Sequence, residues 1–468
     1  MSGAGSASRR PTGRRTPPRR ERTPRGARGA AYDLLHAVAA DDAYANLVWP
    51  TILAESKLDA RDAGFATELA YGTLRWRGLY DAILAECVDR PLDQLDGRVL
   101  DLLRLGVHQL LAMRVPEHAA VGETVTLARQ VAGDGPSKLV NAVLRKVIAG
   151  GDRDAWIAGV APGDDTDALA IATSHPRWIV NAFAQALAVH RGEPDPQGLR
   201  ELLDADNAPA RPVLVARDLS SHELLELPGV EPARWSPVAG VLTQGRPEDL
   251  AEVRSGAAGV QDEGSQLVAQ ALMNADVAGP DATWVDLAAG PGGKAALLAR
   301  GAAKHGGHLI AVEPHAHRAE LVRRSLPDGA HEVRVADGRE AIVPGTADRV
   351  LVDAPCTGLG ALRRRPEARW RRSAADLATL GPLQRELLAA AIDATRPGGV
   401  IVYATCSPHV AETDLVIKDV LKGRSDVVQE DVRPLLPGVP DLGPGPAARL
   451  WPHLHGTDGM YLALLRKE

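Results

Sequence analysis

Two of the three cysteines lie at the ends of short apolar runs, beside turn-forming residues. Cys356 belongs to the segment Asp-Ala-Pro-Cys-Thr-Gly that begins at Asp353, and Cys406 belongs to Thr-Cys-Ser-Pro beginning at Thr405. A thiolate is a strong nucleophile, and its addition to carbon 6 of a pyrimidine lets carbon 5 accept a methyl group from a sulfonium. Neither cysteine has the spacing of a zinc site, so we expect covalent catalysis and no metal.

An acidic and a basic residue have the chemistry to assist. The carboxylate of Asp353 can hold N3 and the exocyclic amine of a cytosine and stabilise the protonated ring. Lys294 is one of only eight lysines and follows a glycine-rich loop, where it can orient Asp353 or supply positive charge. Spacing alone does not decide whether Cys356 or Cys406 is the nucleophile. The third cysteine, Cys87, is expected to be a small buried apolar residue.

The glycine-rich loop offers a place for a nucleoside-type cofactor. Residues 286–294 read Asp-Leu-Ala-Ala-Gly-Pro-Gly-Gly-Lys, directly after one apolar run and before a helical pattern. Glycines let a ligand approach the backbone, and a helix start offers free N–H groups. Alanine at positions 288 and 295 excludes a P-loop. Three small residues formally match a dinucleotide fingerprint, which is weak alone: Gly290, Gly292 and Ala295.

Two further acids recur at the ends of apolar runs. Glu313 ends the second run, where a carboxylate can accept both ribose hydroxyls of a nucleoside. Asp337 ends the third run, within reach of an adenine edge. Open α/β sheets bind ligands at the carboxyl ends of their strands, so the recurrence favours one shared site.

The elements that must position these residues alternate between strand and helix. Helical patterns such as 317–325 and 377–395 separate short β-branched runs, which predicts an α/β, Rossmann-like domain over 263–468 with a mostly parallel sheet. The predicted strands are 283–287, 308–313, 332–337, 349–353, 400–405 and 460–465.

The rest of the chain divides into three further segments. Apolar residues at helical spacing predict an all-α domain over 29–150. Mixed patterns over 151–262 predict a linker and a small α+β connector. Residues 1–28 lack apolar residues and are expected to be a disordered, arginine-rich tail. Arg363, Arg364 and Arg365 form a second basic run, expected to contact RNA phosphate or to be an exposed charge cluster.

Composition and charge narrow the class of protein. The chain has 468 residues, 45% apolar and 24% charged, with no apolar run long enough for a membrane span. Residues 1–30 hold nine arginines and one acid, although the net charge of the chain is −6. A basic tail on an acidic body suggests a polyanionic partner or a solubilising extension. Three cysteines and no secretory leader indicate a reducing, cytoplasmic setting.

These motifs together resemble the NOL1/NOP2/Sun family of RNA cytosine-C5 methyltransferases. The resemblance rests on the two cysteine motifs and on the loop Ala289-Gly-Pro-Gly-Gly-Lys294. It extends over about 29–468: segments 116–124 and 139–145 resemble the NusB-like RNA-binding domain of the bacterial RsmB/Sun (Fmu) branch. Residues 260–265 and the terminal Asp458-Gly-Met-Tyr also fit that branch. Ala288 and Gly290 depart from the usual residues at their positions.

The resemblance implies roles for individual residues. Cys406 would be the nucleophile, Cys356 would assist release of the methylated base, Asp353 would bind the cytosine and Lys294 would support it. S-adenosylmethionine would be the cofactor and 16S rRNA the substrate of a monomeric enzyme. The residues implied to hold the cofactor are Ala288, Ala289, Gly290, Pro291, Gly292, Gly293, Lys294, Glu313, Asp337 and Asp353.

Two other classes of function stay open at this point. One is a non-catalytic RNA-binding or antitermination-like factor with a decayed methyltransferase domain, which the intact Asp353, Cys356, Cys406 and Lys294 disfavour. The other is a nicotinamide-dependent oxidoreductase, based on the glycine loop. An oxidoreductase gives no account of two cysteines at strand ends, and binding of S-adenosylmethionine rather than NAD would separate the two.

Overall fold

The computed structural model describes residues 26–329 and 331–468. The predicted disordered tail therefore lies mostly outside the described residues, but its last three residues do not. Helix α1 begins at Gly26, because the alanines and leucines that follow bury one face of the helix against the first core.

The first 172 residues contain only helices within their described part. Leu34, Leu69, Leu102 and Leu144 come from four different helices and are fully buried in one apolar core. The helices are α1 Gly26–Ala40, α2 Ala45–Ser56, α3 Ala60–Arg75, α4 Arg77–Cys87, α5 Gly97–Leu111, α6 Glu117–Ala132, α7 Asp134–Ala149, α8 Arg153–Val160 and α9 Thr166–Ala172.

Helix α8 shows that the helical core extends beyond the predicted boundary at residue 150. Trp156 and Ile157 pack against that core, and the Trp156 indole N–H donates to the carbonyl of Val147 at 2.9 Å. Burial of this large aromatic side chain stabilises the packing of the segment after Gly150 against the helices, although the composition of that segment is typical of a linker.

The middle of the chain is a small α+β region. All strand pairs of its four-stranded sheet are antiparallel, in the order β2-β3-β1-β4. The elements are α10 Arg177–Arg191, α11 Pro196–Asp206, β1 Val213–Ala216, α12 Ser221–Leu225, β2 Val230–Pro232, β3 Ala239–Leu242, α13 Ala251–Ser255 and β4 Ala258–Val260.

The last region is the predicted α/β domain with helices on both faces of an eight-stranded sheet. The sheet order is β10-β12-β9-β8-β5-β6-β7, with β11 paired to β12. The elements are α14 Glu263–Asn274, β5 Thr283–Asp286, α15 Gly293–Lys304, β6 His308–Val312, α16 Ala316–Ser325, β7 His331–Arg334, β8 Ala347–Asp353, α17 Ala368–Arg371, α18 Leu377–Ala394, β9 Thr395–Thr405, α19 Asp414–Leu421, β10 Val427–Glu430, β11 Ala448–Leu450, α20 Pro452–His455 and β12 Met460–Lys467.

The sheet is mostly parallel, as the alternation of patterns predicts. Strands β5 to β9 pair in parallel, whereas β12 runs antiparallel to β9, and β10 and β11 run antiparallel to β12. The sequence patterns did not identify β10 and β11. Each is three or four residues long and is stabilised by pairing with β12, a long-range contact that no local pattern records.

One buried arginine joins the three regions. Arg369 in α17 donates to the carbonyl oxygens of Arg75, Ser174 and Asp206, and to the side-chain oxygen of Asn207, at 2.8 to 3.2 Å. The segment that follows Cys356 in sequence is therefore fixed against the helical region as well as against the α+β region.

Membrane-spanning helices and metal clusters are both absent from the described part of the chain. No helix there is long and apolar enough to cross a membrane. Within the same residues, no group of three or more His, Cys, Asp or Glu side chains is arranged to hold a metal ion.

Candidate active site

The two cysteines meet at the carboxyl edge of the parallel sheet. Cys356 follows β8 and Cys406 follows β9, and the two strands are paired neighbours in register from Arg349 to Asp353. Because parallel neighbours end at the same edge, the residues just beyond them converge. The Sγ atoms of Cys356 and Cys406 are 3.3 Å apart, and both side chains are partly accessible.

The environment of the pair differentiates the two thiols. A hydrogen bond from Cys356 and the nearby ammonium of Lys294 lower the pKa of Cys406. The same hydrogen bond, followed by burial and the carboxylates of Glu412 and Asp353, raises the pKa of Cys356 well above its usual value. The arrangement therefore makes Cys406 the more acidic thiol of the pair and favours the protonated form of Cys356.

Lys294 and Asp353 form an ion pair beside the cysteines. Lys294 lies in the first turn of α15, and its Nζ is 2.8 Å from Oδ2 of Asp353, the last residue of β8. Burial opposes the charge of Lys294, but Asp353 outweighs it and the pKa of Lys294 is raised. The side chains of Lys294 and Asp353 are 11% and 27% exposed, so the carboxylate keeps an accessible side for a ligand.

The glycine loop packs against the end of β6. A Cβ at Gly290 would overlap a carboxylate oxygen of Glu313, so a larger residue here would require the end of that side chain to move. Glu313 follows β6, is 2% exposed, and accepts a hydrogen bond from the backbone N–H of His315 at 3.0 Å. Arg318 donates to the carbonyl of Gly290 at 2.6 Å and fixes the loop.

The remaining loop residues form the turn into α15. Gly292 has a φ of +110° and accepts no larger side chain, because a Cβ there would lie 2.7 Å from Ser325. The N–H of Ala289 donates to the carbonyl of Val312 at 2.9 Å. Ala288, Pro291 and Gly293 complete a short connection that brings the start of α15 next to Asp353.

The structure corrects the placement of Asp337. Strand β7 ends at Arg334, three residues before Asp337, which lies in an exposed turn. Asp337 binds the guanidinium of Arg339, which also reaches Glu386, and the hydrogen bonds from Arg339 lower the pKa of Asp337 to about 2. The local ion pair and the turn, rather than strand pairing, set the position of this acid.

The three consecutive arginines after Cys356 contact the protein itself. Arg364 binds the carboxylate of Asp458 through its Nε at 2.9 Å, Arg363 donates to the carbonyl of Gly456, and Arg365 lies 5.0 Å from the ring centre of Tyr44. The arginine spacing alone gave no way to anticipate these partners, which come from distant parts of the chain.

Sequence reasoning assigned no separate role to Asp286, the last residue of β5. Asp286 is 1% exposed, and its Oδ2 has no hydrogen-bond partner. Burial, followed by the charge of Asp353, raises the pKa of Asp286 to about 7. A positively charged ligand bound beside Asp286 would stabilise the ionised form of its carboxyl group. The signal in the sequence that could have identified Asp286 was its position just before the glycine-rich loop.

Asp286 provides a pH-dependent test of this site. Because its pKa is about 7 when folded and near 4 when unfolded, its favourable contribution is present at low pH and is lost as pH rises to 7. We expect Asp286→Asn to raise the free energy of unfolding by about 1–3 kcal/mol at pH 8, with little change at pH 4.5. Urea denaturation at both pH values measures this, and equal stability of variant and parent at pH 8 contradicts it.

Family comparisons match the helical region and the α/β domain to two different families. The family described as 16S rRNA methyltransferase RsmB/F matches residues 276–466, and the NusB family matches residues 25–149. A Mycobacterium tuberculosis protein named only as a methyltransferase is 50% identical, over 97% of this chain and 98% of its own length. Ribosomal RNA small subunit methyltransferase B of Pseudomonas syringae is 32% identical, over 94% of this chain and 96% of its own length.

Solved structures share the fold. The crystal structure of PH0851 superposes with a TM-score of 0.76 at 22% identity, over 96% of this chain and 99% of that one. NSun6 from Pyrococcus horikoshii, solved with SFG, has a TM-score of 0.50 at 18% identity, over 62% of this chain and 98% of that one. At these identities the likeness establishes the architecture: a helical part and an α/β part in one chain.

Proposed function

The chain belongs to the RsmB/F family of 16S rRNA methyltransferases, and we propose that it transfers a methyl group from S-adenosylmethionine to carbon 5 of a cytosine in 16S rRNA. The observation that carries the proposal is the pair of thiols of Cys356 and Cys406, 3.3 Å apart beside an ion pair of Lys294 and Asp353. A methyltransferase acting on a nitrogen or oxygen atom has no need of a second thiol at this distance.

The residues around the glycine loop fit the cofactor. The unpartnered oxygen of buried Asp286 would face the positive charge of the cofactor, and the carboxylate of Glu313 lies directly against the glycine loop at Gly290. Residues 288–294, Glu313 and Asp353 would hold S-adenosylmethionine, with Asp337 in the turn after β7. Bound there, S-adenosylmethionine supplies a methyl group on a positively charged sulfur.

The first step assigned to the protein is attack of the Cys406 thiolate on carbon 6 of the cytosine. N3 takes a proton from solvent as the thiolate adds, and the Asp353 carboxylate, oriented by Lys294, accepts hydrogen bonds from N3–H and from the exocyclic amine. The electron pair of the C5–C6 double bond therefore becomes available at carbon 5. Desolvation within the cleft strengthens the hydrogen bonds from the ring to Asp353. The methyl group is accepted by carbon 5 of this covalent adduct.

Release of the product reverses the covalent bond. While Cys406 is bound to the base it carries no charge, so the main cause of the raised pKa of Cys356 is gone. Cys356 then loses its proton to solvent and takes the proton from carbon 5. The electron pair re-forms the C5–C6 double bond, the bond from carbon 6 to sulfur breaks, Cys406 leaves as a thiolate, and the N3 proton returns to solvent.

The helical region supports an RNA substrate. It matches the NusB family and is fixed to the segment after Cys356 through Arg369. We infer that this region binds RNA by shape and backbone charge, and that the target cytosine leaves its stack to reach the cysteines.

The direct test is nucleoside analysis of methylated RNA. The purified protein is incubated with S-adenosylmethionine and unmodified 16S rRNA, the RNA is digested, and new nucleosides are identified by mass spectrometry. We expect 5-methylcytidine, absent when the cofactor is omitted. A methylated nucleoside other than 5-methylcytidine contradicts the assigned atom. No product despite cofactor binding contradicts free 16S rRNA as substrate, and an assembling small subunit is tested next.

A further inference from the structure

A buried carboxylate that the proposed mechanism does not use holds the residue after Cys356. Glu412 follows β9 in a short turn, and its side chain is completely buried. One carboxylate oxygen accepts the backbone N–H of Thr357 at 2.8 Å, and the other accepts the Thr357 hydroxyl at 2.5 Å. The phenol of Tyr403 donates to the Glu412 carbonyl at 2.8 Å and holds the turn itself.

A buried amide holds the residue before Cys356. Gln384 lies in α18 with its side chain completely buried, and its Nε2 donates to the carbonyl of Pro355 at 2.8 Å. The same nitrogen donates to Glu412 at 3.1 Å. The two side chains therefore connect to each other and hold the chain on both sides of Cys356.

We infer that Glu412 and Gln384 are positioning residues that fix Cys356 beside Cys406 and make it effective in releasing the methylated base. The inference rests on the proposed function, because release needs a covalent adduct on Cys406. Neither residue touches a reacting atom in the proposed steps; each acts through the backbone of Pro355 or Thr357.

The free-energy cost of burying the Glu412 carboxylate supports this assignment. A fully buried carboxylate is expensive unless hydrogen bonds and a defined structural role compensate for it. The side chain of Glu412 accepts hydrogen bonds from Thr357 and Gln384. A charged side chain is not required to form the turn in which Glu412 lies. The charge faces the loop of Cys356, where it favours the protonated thiol and so makes Cys356 a stronger base once it has lost its proton.

The test compares turnover with the amount of covalent adduct. We expect Glu412→Gln to lower kcat by about tenfold to a hundredfold while KM for RNA stays unchanged, since binding groups are intact. The fraction of protein cross-linked to 16S rRNA on denaturing gels should rise at the same time. Gln384→Ala should also raise the adduct and lower turnover, but by smaller factors, because it removes two hydrogen bonds and no charge.

Opposite changes separate positioning from structural damage. A damaged fold lowers adduct and turnover together, whereas slow release raises the ratio of adduct to turnover. The matched control is Glu263→Gln, since Glu263 is also a buried glutamate that accepts backbone N–H groups, those of Trp235 and Ser236. An unchanged ratio in both the Glu412 and the Gln384 variants, or an equal rise in the Glu263 variant, overturns the inference.

A second readout does not depend on RNA. In protein carrying Cys87→Ala and Cys406→Ala, the remaining thiol is Cys356, and its alkylation by iodoacetamide is followed by mass spectrometry. We expect Glu412→Gln to speed this reaction about threefold to tenfold at pH 8, because a neutral side chain stabilises the thiolate. If the parent enzyme forms neither 5-methylcytidine nor an adduct, the proposed function fails and alkylation alone decides: an unchanged rate then overturns the positioning role.

Discussion

Cys406→Ala is expected to abolish methylation, with a loss of kcat of at least about 10⁴-fold, because the proposed mechanism needs its bond to carbon 6 and the pKa of the remaining thiol, Cys356, is raised. Its lowered pKa and its place beside Lys294 make Cys406 the thiol of the pair that loses its proton more readily. The variant should also form no RNA adduct that survives denaturation. Transfer of a labelled methyl group and gel retardation of denatured protein measure the two effects.

In the gel measurement of the RNA adduct, Cys356→Ala is expected to give the opposite result to Cys406→Ala. Attack by Cys406 still occurs, but release is slow, so an RNA-linked protein should accumulate. Cys87→Ala serves as the control, because Cys87 is 2% exposed in the core of the helical region and far in sequence from both motifs. An adduct in Cys406→Ala but none in Cys356→Ala would exchange the two roles.

Loss of the ion pair between Lys294 and Asp353 is expected to have the second largest effect. Asp353→Asn keeps the shape but carries no negative charge to stabilise the protonated ring, and we expect kcat to fall about 10²- to 10³-fold. Lys294→Met should fall by a similar factor, since it leaves the Asp353 carboxylate partly buried without its partner. Single-turnover methylation separates this loss from slow product release.

The two substitutions should not be additive. Asp353 and Lys294 are 2.8 Å apart and act as one unit, so the double variant should be little worse than the more damaged single variant. Lys467→Met is a suitable control, because Lys467 pairs with Asp426 at the end of β12, away from the cysteine motifs, and should leave kcat unchanged. Fully additive losses would indicate that the two residues act independently.

The sequence predicts much of the architecture because the relevant patterns are local. Strand β8 is a nearly continuous buried run, and helix α18 shows apolar residues at helical spacing over 18 residues, so both are identified within a few positions. The short antiparallel strands β10 and β11 are stabilised by pairing with β12, a long-range contact that no local pattern records. Asp337 is misplaced for a similar reason, since a turn and Arg339 hold it.

For the candidate site too, some features follow from the sequence and others only from the tertiary structure. Residue types and spacing in the sequence alone select Cys356, Cys406, Asp353, Lys294 and the glycine loop, because each follows an apolar run and parallel strands end at one edge. They leave the two cysteines equivalent.

Only the tertiary structure decides how the two thiols differ and what supports them. Lys294 and Asp353, 59 residues apart in the chain, meet beside Cys406, while Glu412 approaches the loop of Cys356. Protonation and orientation depend on charges and hydrogen bonds within a few ångströms. Those neighbours come from separate strands and helices, so the sequence identifies the reactive groups, and the packing of the sheet and helices assigns them different roles.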